Sequence, residues 1–153
     1  MNSRRISRAL IAGAIATIAM TGMAYFVAPM MLGHPMDIAQ MLARFLEVNW
    51  TTGMLMHLTN GIVVFPLIYL ILANRLLLGA PWLKGLLLGL GLWLVLEAVM
   101  LPMIGAGFFN TNGGGLKAVM AALVAHLVYG ATLGSVIGNV TESASVGLKE
   151  RTT

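Results

Sequence analysis

The chain has no cysteine among its 153 residues, which removes disulfides, thiolate metal sites and thiol redox chemistry together. It is also poor in charge. Asp, Glu, Lys and Arg make up 9% of it, and only five residues are acidic, against about 25% charged in an average soluble domain. Aromatics stand at 7%. Nothing gathers them with Lys and Arg into the basic, stacking face that nucleic-acid binding needs, so no nucleic-acid partner is expected. No nucleophile stands beside a base and an orienting acid at recognisable spacing, and the reading is non-enzymatic. The glycines of "GFFNTNGGGLK" follow no strand and precede no Lys-Ser/Thr pair, so they form a connection rather than a phosphate cradle.

What the chain has is hydrocarbon: 59% of it is hydrophobic, more than one small soluble domain can hide. The lipid bilayer is the expected solvent. A spanning helix needs about 20 mostly apolar residues, because every backbone amide must be bonded internally. Four segments qualify, over residues 9–32, 52–73, 83–104 and 116–138. The predicted fold is therefore all-α, a polytopic bundle of four transmembrane helices, with a polar, unordered tail over residues 139–153. The first run is too long for a signal-peptide core and lacks a clear cleavage site, so it reads as a retained anchor.

The formal charge of +4 reads as topology. Arg4, Arg5 and Arg8 precede the first span, and Arg75 and Lys84 flank the connection between the second and third. The opposite loops hold Arg44, balanced by Asp37 and Glu47, and Lys117. Both termini are expected in the cytoplasm, with the protein in the inner (cytoplasmic) membrane. In "MDIAQMLARFLEVNW", Ile38, Met41, Leu42 and Phe45 recur at helical spacing. Residues 37–47 should form a short amphipathic helix on the outer surface, a lid or docking face or simply a loop with its apolar side down, with Trp50 at headgroup level.

Two histidines stand inside spans. "MHLTNG" places Gly61 four residues after His57, and "AHLVYG" places Gly130 four residues after His126. Pro29-Met30 and Pro102-Met103 also match in the first and third spans, so two hairpins related by a parallel repeat are expected. At about 1.5 Å per residue, His57, His126, Glu97 and Tyr25 all lie about 20–25 Å from the cytoplasmic end. One polar side chain per helix thus falls in a single layer.

Glu97 is the only carboxylate inside a span. A charge there costs at least about 2.5–3.5 kcal/mol, so it should face the interior and find a partner, the histidines being the candidates. A carboxylate–imidazole pair could move protons or orient a ligand; the alternative is a structural hydrogen bond. The histidine pair equally suits a b-type haem, with His57 and His126 as axial ligands and Gly61 and Gly130 giving the macrocycle clearance. A two-histidine, one-carboxylate metal centre is a weaker option, and the scattered methionines read as packing. Gly130, Gly134 and Gly138 form a small-residue ridge suited to helix packing. His34 reads as a loop residue, and Pro66 should kink the second span.

"AGAIATIAM" in the first span and the two "HL…G" helices make the chain resemble small uncharacterised four-helix membrane proteins of bacteria and archaea. The resemblance implies the fold and no established activity. Three function classes remain open. One is an accessory subunit of a membrane complex, respiratory or redox, with a membrane-protein partner or self-association. The others are a haem b electron carrier and a proton-coupled carrier using Glu97.

Overall fold

The computed structural model describes residues 3–73 and 79–149, with side chains placed over 3–71 and 79–138. Four helices are long and apolar enough to cross a membrane: α1 (Ser3–Leu32), α3 (Trp50–Ile71), α4 (Pro81–Met103) and α5 (Gly115–Lys149, of which Gly115–Gly138 is the apolar part). A short helix, α2 (Ile38–Leu46), connects α1 to α3. No strand occurs among the described residues. The protein is an all-α, multi-pass membrane bundle. The expected spans all appear, α1 starting earlier so that Arg4, Arg5 and Arg8 lie on the helix itself. Of the tail over residues 139–153, the part to Lys149 is described as a continuation of α5 and 150–153 lie outside the described residues. Asn74 and Arg75, the expected end of the second span, lie outside the described residues.

Local chemistry sets the ends. Gly33 closes α1 in the left-handed region, at φ 79°, where a glycine pays no steric penalty. The Asp37 carboxylate caps α2 by accepting from the Gln40 N–H at 2.9 Å. Asn49 caps α3 through the Thr52 N–H, also at 2.9 Å; both are the side chains that satisfy orphan amides best.

Small residues set the packing. α4 lies tightly along α5, α5 along α1, and α1 along α3. A Cβ added to Gly130 would strike the Gly85 carbonyl, one on Gly134 the Pro81 carbonyl, and one on Gly138 the Pro81 ring. The glycine ridge of α5 is thus filled by the backbone of α4, as close helix approach in lipid requires. α3 and α4 meet at the end of the bundle near the N-terminus, where the Tyr69 hydroxyl donates to the Pro81 carbonyl at 3.0 Å. Toward the α2 end a cavity lies between them. Large apolar side chains such as Ile18, Phe26, Met30 and Leu116 point outward, into what the fold makes lipid.

The long helices are not regular. Of four π turns among the described residues, Met23–Val27, Asn60–Val64 and Leu96–Met100 each end two residues before a proline, Pro29, Pro66 and Pro102, and the fourth, Tyr69–Ala73, lies at the end of the second span. The proline ring clashes with the carbonyl four residues back, so the helix widens ahead of it. In each case the residue before the proline donates to the carbonyl five residues back: Ala28 to Met23, Phe65 to Asn60, Leu101 to Leu96. The next carbonyl along then loses both of its backbone donors, because proline has none to offer. Those freed carbonyls belong to Ala24, Gly61 and Glu97. The turns of α1 and α4 match, each followed by a proline and a methionine, whereas the turn of α3 has no counterpart in α5.

Candidate functional site

The gap between α3 and α4 is a cavity of about 750 Å³, within the size range of small-molecule sites. α1 contributes Thr17 and Met20, α3 His57 and Asn60, α4 Leu96 and Glu97, and α5 Ala122, His126 and Tyr129. α2 lies across one end with Ile38, Met41 and Arg44, beside Asn110 and Gly113 of the α4–α5 connection. The lining is mostly apolar, with a few polar groups converging from four helices.

Each polar residue is held differently. The His57 Nε2 lies 3.0 Å from the Thr21 hydroxyl, tying α3 to α1. The His126 Nδ1 donates to the Ala122 carbonyl at 2.8 Å. A carbonyl can only accept, so this bond fixes the tautomer and leaves His126 Nε2 as an acceptor. The Tyr129 hydroxyl donates to the Gly61 carbonyl at 2.7 Å, replacing the donor that Pro66 took away. The other freed carbonyl, on Ala24, accepts from the Met36 N–H at 3.0 Å.

Glu97 has no such arrangement. It is fully buried, at 0% exposure, and neither carboxyl oxygen has a hydrogen-bond partner. Its main-chain carbonyl is the third one freed by proline, so α4 supplies it no donor either. Two carboxyl oxygens without a partner and one carbonyl without a helix donor therefore belong to the same residue. The Tyr25 hydroxyl reaches the other way, to Asp37 Oδ1 at 3.4 Å. Asp37 also accepts from the Trp50 indole N–H, which lies 3.1 Å from each of its oxygens.

Three of the four residues expected in one layer, His57, His126 and Glu97, do line one cavity. Tyr25 does not. It stands one turn beyond Thr21, inside the π turn that begins at Met23, and joins the Asp37–Trp50 cluster at the α2 end. The expected carboxylate–imidazole pair is not made, since both histidines bond elsewhere and Glu97 bonds to neither. Among the described residues, no three His, Asp or Glu side chains converge as a metal site.

The two glycines also have another occupation. Gly130 packs on Gly85, and a Cβ on Gly61 would meet the Thr17 hydroxyl. Both positions are in close helix contact. A bis-histidine haem would further require His57 to give up Thr21. Sequence reasoning missed Thr17, Thr21, Asn60 and Tyr129. A signal for two of them was present: Asn60 and Tyr129 each stand three residues after the histidine in "MHLTNG" and "AHLVYG", on the same helix face.

A family model described as a family of unknown function, DUF6789, matches residues 3–146. No curated protein and no solved structure matches the chain.

Proposed function

The chain belongs to that family of unknown function, and we propose, from its own side chains, that it is a non-enzymatic membrane protein that binds a small molecule within the bilayer, as a carrier does. One observation carries this reading: the only carboxylate in any span is buried without a partner in the wall of a 750 Å³ cavity. A buried polar group with no donor costs about 1–3 kcal/mol or more, and intramembrane carboxylates generally mark ligand or proton pathways. Docking onto a larger complex would use the lipid-facing surface and would leave both the cavity and Glu97 without a purpose.

The charged loops support an orientation. Arg4, Arg5, Arg8 and Lys84 lie at the end opposite α2, so the termini face the cytoplasm and the α2 end faces outward, in the inner (cytoplasmic) membrane. The cavity then takes its ligand from the outer side, under α2.

Titration calorimetry of the protein in lipid nanodiscs, with phenylbutyl probes bearing a neutral, cationic or anionic head, tests the reading. The expected result is saturable one-to-one binding of at least one probe. Ala122→Phe, placed in the cavity wall, should abolish it while circular dichroism stays helical. No saturable binding of any probe would overturn the proposal.

A further inference from the structure

We propose that the cavity takes a lipophilic monocation with N–H donors, a primary or secondary ammonium on an apolar body, in exchange for the proton of Glu97. This rests on the binding-site reading above and specifies its ligand. The acceptors come first. Both Glu97 carboxyl oxygens lack partners, and Pro102 deprives the Glu97 carbonyl of a helix donor. His126 adds a fourth acceptor, Nε2, because its Nδ1 is committed to Ala122. A ligand satisfying this wall must bring donors. An ammonium brings up to three on one positive charge.

The remaining walls choose between cations. An inorganic cation of the calcium class takes six to eight oxygen ligands and magnesium a full octahedron, whereas no metal-like convergence exists among the described residues. Most of the lining is apolar, from Met20, Leu92, Leu96, Met100 and Ile104. Such walls accept a hydrocarbon body and repay its removal from water.

Charge decides the exchange. An ionised carboxylate without a donor is too costly in an apolar wall, so in the ligand-free protein Glu97 carries its proton. When the ammonium docks, the carboxyl O–H bond breaks, the proton leaves through the α2 end, and the carboxylate pairs with the cation. One positive charge enters as another departs, so the site stays neutral throughout. The other titratable or charged groups lining the cavity are His57, His126 and Tyr129 on α3 and α5, and His34, Asp37 and Arg44 at the α2 end. His57 and Tyr129 already have partners on α1 and α3, and the α2-end groups are exposed. Glu97 is the group set to lose the proton.

The test compares 4-phenylbutylammonium with its neutral alcohol, 4-phenylbutanol, by calorimetry in nanodiscs. Runs in two buffers of different ionisation enthalpy count the protons released. The ammonium should bind more tightly than the alcohol and release one proton per ligand. Its affinity should rise about tenfold per pH unit while Glu97 remains protonated. Glu97→Gln should lose the ammonium and its proton release yet keep the alcohol, which also shows that the variant is folded. Should Glu97→Gln bind neither probe, Glu97→Asp replaces it and must retain ammonium binding with proton release. Equal affinity for ammonium and alcohol, or unchanged ammonium binding in Glu97→Gln, would overturn the cation proposal while leaving the binding site standing. Failure of every probe would overturn the site itself.

Discussion

Proline removes one donor from a helix, and the three carbonyls freed here meet different fates. That of Ala24 takes a loop amide and that of Gly61 takes the Tyr129 hydroxyl, while that of Glu97 has no helix donor. Tyr129→Phe should therefore cost more than the loss of one hydroxyl, because it orphans a buried carbonyl, worth about 1–3 kcal/mol. Pro66→Ala restores an N–H to α3, so the Phe65 amide can return to Gly61. The Tyr129→Phe penalty should shrink in that background. Reversible unfolding of the four species in mixed micelles measures the coupling; additive losses would show that Tyr129 does not serve the proline-freed carbonyl. At this scale the sequence was informative wherever cost was high. Glu97, His57 and His126 stood out because ionisable groups are expensive in lipid. Thr21 did not, since a threonine hydroxyl can bond its own helix carbonyl and needs no outside partner in a span, and Asn60 was passed over although its place three residues after His57 marked it. Tyr25 was misplaced because rise per residue gives depth but not direction, and a π turn shifts direction further.

Helix pairs in this bundle are written in glycine, yet the two matched glycines are not equivalent. Gly130 faces the backbone of Gly85, which has no side chain to rotate, whereas Gly61 faces the Thr17 side chain. Overpacking generally costs about 1–3 kcal/mol. Gly130→Ala should fall in the upper part of that range, forcing α4 off α5, and Gly61→Ala in the lower part. Thr17→Ala should rescue Gly61→Ala by removing the hydroxyl it meets. Thermal midpoints in mild detergent rank the variants; a larger loss for Gly61→Ala would contradict the packing. The spans were legible because length and apolarity alone define them, and the ridge Gly130–Gly134–Gly138 because its period is helical. The π turns were not foreseen. Proline announces a kink, but which carbonyls it frees, and which groups then answer them, depends on neighbouring helices that no single segment reveals.

At the scale of the whole molecule, the bundle is closed by contact at one end and open between α3 and α4 at the other, where α2 lies over the gap. The apolar face of α2, with Ala39, Leu42 and Ala43 buried, rests on α3 where Gly53 lets the backbones touch. One carboxylate organises this end: Asp37 caps α2 and accepts from the Trp50 indole and the Tyr25 hydroxyl. Removing it takes away the cap, worth about 1 kcal/mol, together with the ties to α3 and α1. Asp37→Ala should therefore loosen α2 over the cavity without unfolding the bundle, whereas Asp37→Asn, itself a good cap, should loosen it less. The absence of cysteine gives a clean readout in sealed cells with a membrane-impermeant maleimide. Gly113→Cys, in the exposed α4–α5 connection, should label fastest, and Ser3→Cys, at the opposite end, should stay protected until the cells are opened. Ala122→Cys, in the cavity wall, should label slowly, then several-fold faster once Asp37→Ala is added and by an intermediate amount with Asp37→Asn. Rapid labelling of Ser3→Cys in sealed cells would reverse the orientation. An Ala122→Cys rate indifferent to Asp37 would mean that α2 does not control entry.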